Sequence, residues 1–268
     1  MKKALCWVAF LLLAAQAPLW CYDQTPSNWQ IVPECIWSPA TGGGTWVTEL
    51  QVLSFEPSTG LNVHFFNVDG HRGPFPLYGS FSFYSVIKWT NILQSIDALD
   101  SGTYNYYGKV GAVWFEALGT SAAIAVQAST YNGNYGKNFP SLSVVEANTA
   151  GVGRPMVLLN AMQSAKFRTF IGLFNTSDST TFSLAIRIYT TGVTMIGSEI
   201  VKTMAPLSYV TFNPFVEAGV GSGTYTNAWI HVYVNSGDST ARAVMCFGSV
   251  ANNYTNDTYA LIARPYTP

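Results

Sequence analysis

Two short runs hold most of the side chains in this chain that could grip a ligand. The first is Tyr131-Asn132-Gly133-Asn134-Tyr135-Gly136, and the second is Asn252-Asn253-Tyr254-Thr255-Asn256-Asp257. Asparagine amides both donate and accept hydrogen bonds, and a tyrosine ring offers a flat face on which a sugar can pack. The candidate ligand-binding residues are therefore Tyr131, Asn132, Asn134, Tyr135, Asn252, Asn253, Tyr254 and Asp257. A competing reading gives Asn and Gly to turns that need positive φ. The spacing is not that of a calcium loop. No His/Cys set has the spacing of a zinc site, and no metal is expected.

Catalytic chemistry has little to stand on. Paired-carboxylate hydrolysis needs two acids facing one another. The candidates are Glu34, Glu49, Glu56, Asp97, Glu116, Glu199 and Glu217, and they read as solvated or edge-strand acids. His64 lies in an alternating segment, His71 in the turn Asp69-Gly70-His71-Arg72-Gly73, and His231 on the polar-aromatic side of a strand. All three read as partly exposed strand or turn histidines. No G-x-S-x-G elbow occurs. The expectation is no enzyme, no catalytic residue and no cofactor.

The elements that must carry these residues repeat. Trp46-Val47-Thr48-Glu49-Leu50 matches Phe167-Arg168-Thr169-Phe170-Ile171, and Gly102-Thr103-Tyr104 matches Gly223-Thr224-Tyr225, at an offset of about 121 residues. None of the candidate acids has an acid at its counterpart, which weakens any shared mechanism. Alternating apolar residues predict strands near 32–37, 46–54, 61–68, 81–88, 110–118 and 122–130. In the second copy they fall near 156–159, 167–174, 183–189, 199–204, 208–212, 229–234 and 242–250. Residues 91–99 carry helical spacing, and 215–218 a single turn. Short strands without a βαβ rhythm predict an all-β chain of two tandem β-sandwich domains, immunoglobulin-like or jelly-roll, from an internal duplication. The expected bounds are 21–140 and 141–268, with a junction over 137–153.

Hydrophobic residues make up 49% of the 268 residues and charged residues only 10%, with a net charge of -1, so a nucleic-acid partner has no electrostatic footing. Lys2 and Lys3, the apolar run 4–15 and Ala15-Gln16-Ala17 read as a signal peptide over 1–20. The expected location is therefore secreted, extracellular or at the cell surface, with no transmembrane segment after cleavage. Cys21 and Cys35 are the candidates for a small disulfide staple in an oxidising compartment. Cys246 reads as a buried small hydrophobe.

The pattern Gly44-Thr45-Trp46-x-Thr48-x-Leu50, its partner Phe167-Arg168-Thr169, the run Ala125-Val126-x-x-Ser129-x-Tyr131-Asn132-Gly133, and Ser249-Val250-Ala251-Asn252-Asn253 resemble a group of secreted bacterial proteins. These have tandem β-sandwich modules, a G-T-x-W-x-T-x-L opening and an S-x-x-D/N-N closing loop. The resemblance spans nearly the whole mature chain. It implies fold and secretion and no enzyme class. The chain departs from it at Val47, where a basic residue is commoner, and at Asn252, where Asp is common. The functional expectation is a structural or adhesive protein of the cell surface or an extracellular assembly, a self-associating filament or sheath subunit whose partner is itself. The alternatives are a carbohydrate-binding module pair that takes surface glycans, and an outer-membrane β-barrel.

Overall fold

The computed structural model describes residues 26–40, 43–119, 122–133, 135–143, 149–237, 244–255 and 257–265. The expected leader and Cys21 lie outside the described residues, as does Asn134. The chain is all-β, with two short helices among the described residues. In the first half, β1 (Trp29–Pro39), β2 (Thr45–Ser54), β3 (Gly60–Asn67), β4 (Gly70–Tyr78) and β5 (Val86–Trp89) precede helix α1 (Ile92–Leu99). Strands β6 (Lys109–Leu118), β7 (Ile124–Asn132) and β8 (Tyr135–Pro140) follow it. After the two-residue β9 (Thr149–Ala150) come β10 (Met156–Gln163), β11 (Phe167–Asn175), β12 (Phe182–Tyr189), β13 (Met195–Met204) and β14 (Tyr209–Phe212). Helix α2 (Pro214–Glu217) leads to β15 (Tyr225–Ser236), β16 (Val244–Asn252), β17 (Thr258–Ile262) and β18 (Arg264–Pro265).

The pairing order is the same in both halves. In the first, β4-β3-β6-β1 and β2-β7-β8, with β5 on the free side of β2, form one sheet, because the end of β1 turns to pair with the start of β2. In the second, β13-β12-β15-β10 and β14-β11-β16-β17 form two sheets. The bend of β1 coincides with a register shift between Val32 and Cys35, and β10 shifts between Leu158 and Ala161. Such bulges bend a strand and re-aim it between layers. Asn160 sits in the second bulge at a φ of 63°, a backbone region that asparagine tolerates better than most residues.

Period-two patterning explains most of the burial. In β15, Ala228, Ile230, Val232 and Val234 are buried, while Trp229, His231 and Tyr233 are half-exposed. Several strands break the alternation, β1 among them with Gln30 to Cys35 all buried. Every residue of β16 up to Ala251 is buried, and in β3 Phe66 and Asn67 are buried along with the inward residues. The reason is a second layer of packing. Phe174, Tyr209, Met245 and Phe247 of the second half belong to the core built by the first half. The Phe66 and Phe174 rings are 4.8 Å apart, and Phe139 and Phe247 meet edge to face at 6.0 Å. Meanwhile Val244, Cys246 and Val250 of the same β16 face the second half's own core.

Several strands depart from the sequence expectation, and β9, β17 and β18 have no counterpart in it. Only Val86–Trp89 of the segment 81–88 is a strand; Phe81 makes a single bridge to Ser58, and Tyr84 turns the chain at a φ of 52°. The segment Asp69-Gly70-His71-Arg72-Gly73 was read as a turn, yet Gly70–Tyr78 is strand β4, with Pro74 and Pro76 within it. It is an edge strand, where proline is tolerated because half the ladder has no partner. Strand β8 replaces the first part of the expected junction, and Leu142 beyond it bonds through its backbone to Ile31, within the first half. Among the described residues, no helix is long and apolar enough to cross a membrane.

Candidate functional site

The two Asn/Tyr loops occupy equivalent ends of β7 and β16. Asn132 donates its amide to the Gly43 carbonyl at 3.1 Å, and Asn253 donates to the Ala165 carbonyl at 3.0 Å. Each thus ties the loop after one strand to the loop before its neighbour. Asn253 also accepts from Arg168, and its backbone N–H donates to Lys166. Asn252 accepts from the N–H groups of Tyr254 (2.9 Å) and Thr255 (3.3 Å), an Asx turn, and Asp257 accepts from the Thr255 hydroxyl at 2.8 Å. Tyr131 is half-buried in its strand, whereas Tyr135 and Tyr254 are exposed. The side-chain amides of Asn132, Asn252 and Asn253 are engaged within the loops.

Two of the candidate acids are not placed as the sequence suggested. Glu34 was read as solvated, yet its side chain is 7% exposed and pairs with Lys137, itself 5% exposed. Strand β1 lies between layers at that point, so both of its faces are covered. The pair lies beside a cleft of about 320 Å³ between the halves, walled by Trp46, Ile36, Phe170 and Ala251. Burial pushes the Tyr209 hydroxyl well above its usual pKa, and the Glu34 charge and Cys35 add to this. The Cys35 thiol is free and fully buried, and burial followed by Glu34 raises it. Its suggested disulfide partner, Cys21, lies outside the described residues. Cys246 is buried as a small hydrophobe would be.

The second misplaced acid is Glu116, and with it the structure assembles a cluster that sequence reasoning missed. His64 on β3 and His71 on β4 are joined by a hydrogen bond, Nδ1 to Nε2, of 3.0 Å. Glu116 Oε2 lies 3.8 Å from His64 Nε2 and accepts from the Asn62 amide at 3.1 Å. Burial holds both imidazoles below their usual pKa; the Glu116 charge partly restores that of His64, and His64 further lowers that of His71. Strand pairing of Phe66 with His71 makes the diagonal His64 a same-face neighbour. A hairpin reading of 61–78 was the one signal that could have found this pair. The cluster opens on a larger cleft, about 620 Å³, between Trp29, Phe66 and Trp114 on one side and Ser177, Asp178 and Leu207 on the other. Among the described residues, no group of three His, Cys, Asp or Glu side chains is arranged to hold a metal.

No protein family matches the chain, and no curated protein does. Among solved structures, the crystal structure of Thermotoga maritima 1070 is 12% identical, with a TM-score of 0.32, over 42% of this chain and 93% of its own. A calcium-binding mutant of Bacteroides uniformis beta-glucuronidase 2 is 7% identical, with a TM-score of 0.15, over 92% of this chain and 32% of that one. The same enzyme covalently bound to cyclophellitol-6-carboxylate aziridine is 9% identical, again at 0.15, over 84% and 26%. Likeness at this level carries no inference about activity.

Proposed function

We propose that the chain is a secreted, non-catalytic structural or adhesive protein, built of two tandem β-sandwich modules that arose by duplication and able to associate with its own copies. The observation that carries this reading is the identical strand order of the two halves around a common interior. One firm body results, with an unpaired edge at the same place in each half, β4 and β13. The two edges differ. Strand β4 carries Pro74 and Pro76, which blunt pairing, whereas β13 runs for ten residues without proline and exposes Met195 and Val201.

Charge supports the same reading. The few ionised groups largely neutralise one another: Lys88 with Glu49, Lys109 with Asp69, Arg187 with Glu199, and Lys202 with Glu217. A weakly charged exterior lacks the repulsion that keeps copies apart. The open sheets weigh against the barrel alternative, which needs a closed ladder. Light scattering after size exclusion, with negative-stain imaging of the mature chain over a wide concentration range, tests association. Growth of oligomers or filaments is expected, together with its loss in a folded Val201→Lys variant. A particle that stays monomeric throughout refutes the reading.

A further inference from the structure

The larger cleft between the halves has the makings of a binding site that the proposed structural role does not use. Its first wall is aromatic. Trp29 and Trp114 meet edge to face at 5.1 Å, and His71 stacks on Phe66 at 4.4 Å. Flat rings of this kind accept the apolar face of a ring-shaped ligand. Two ring nitrogens on this wall, Trp114 Nε1 and His64 Nε2, are buried and have no hydrogen-bond partner. His64 Nε2 is 3.8 Å from the Glu116 carboxylate, too far for a hydrogen bond. The Trp114 indole N–H is a buried donor without an acceptor, which is costly, so it calls for an acceptor oxygen; His64 Nε2 donates or accepts according to the tautomer set by its Nδ1 bond to His71.

The opposite wall belongs to the second half. Asp178 is exposed there and its carboxylate can only accept, so it suits a hydroxyl donor. Among the described residues, no lysine or arginine lines the cleft to balance a phosphate, sulfate or carboxylate. The volume, about 620 Å³, is in the range of small-ligand sites. The ligand must therefore be uncharged, carry hydroxyls that both donate and accept, and present a flat apolar face.

We infer that this cleft binds a short segment of a neutral saccharide, with Trp29 and Trp114 as the packing platform, the Trp114 ring nitrogen as donor, the His64 ring nitrogen as a second polar contact and Asp178 as the acceptor. The site needs both halves, because the platform comes from one and the carboxylate from the other. This inference does not depend on self-association, and its test is separate.

Isothermal titration of the whole mature chain with neutral oligosaccharide fragments of cellulose, xylan, chitin and starch tests it. One site per chain is expected for at least one of these probes. Trp114→Phe keeps a ring and removes the donor, and should weaken binding about tenfold, the scale of one hydrogen bond. Asp178→Asn, at an exposed position with little bearing on folding, should weaken it by a similar factor. Val216→Ala, exposed on α2 and away from the cleft, should bind as the unaltered chain does. Circular dichroism and thermal melting confirm that each variant folds. Absence of heat with every probe overturns the inference. So does affinity unmoved by both Trp114→Phe and Asp178→Asn, loss on Val216→Ala, or a preference for an acidic glycan such as polygalacturonate.

Discussion

Thr48 and Thr169 hold the same place in the two halves, and both are fully buried. The Thr48 hydroxyl accepts the Ile36 N–H at 2.8 Å and bonds Thr130 at 2.7 Å, while the Thr169 hydroxyl accepts the Met162 N–H at 2.9 Å and donates to the Met162 carbonyl at 2.7 Å. In each case the partner N–H lies just past the bulge of the neighbouring strand, where the regular ladder has failed. The hydroxyl satisfies the backbone that the bulge leaves open. Thr169→Val keeps the shape and removes both bonds, so it should destabilise the protein by about 1–3 kcal/mol, read as a lower urea midpoint, with Thr169→Ser much milder. The opening motif was visible in the sequence as a repeated threonine, but its task was not. A bulge is a feature of pairing between strands, and no single strand's pattern reveals it.

At the scale of elements, the two helices begin alike. Asn91 caps α1 by accepting from the Gln94 N–H, and Asn213 caps α2 by accepting from the N–H groups of Phe215 and Val216. Asn91→Ala should cost about 1 kcal/mol, visible as a lower melting temperature with strand content unchanged. Helix α1 was legible because Ile92, Leu93 and Ile96 follow a helical period and are buried as that period requires. Strands with one wet face were legible for the same kind of reason. The edges were not. Strand β4 carries prolines and begins with glycines that read as a turn, and β8 carries Gly136, Lys137 and Asn138, which read as a linker. Edge positions tolerate such residues, so their sequences lose the strand signature. The His64 and His71 pair was hidden with them, since one of its strands was unread.

For the whole molecule, one decisive pair lies within the first half, beside the cleft that divides it from the second. Glu34 and Lys137 tie β1 to β8 in a place with almost no access to water. Removing one partner strands the other charge, and Lys137→Met alone should cost about 3–5 kcal/mol by denaturant unfolding. The double change Glu34→Leu with Lys137→Met should recover most of that loss, because apolar replacements of a buried pair are often neutral. The sequence could not show this pairing, since the two residues read as an exposed acid and a junction lysine. The repeat itself was plain, but which faces of the two copies touch was not encoded in any local period.

Those touching faces limit what the chain can become. Phe174, Tyr209, Met245 and Phe247 complete an interior that is not their own, and Phe66 answers them from the other side. Separated at the midpoint, each fragment would carry a raw oily scar toward water and would clump before it could serve. The two halves are thus joined like conjoined twins: the outer skin of either can vary, but the seam between them cannot be unpicked.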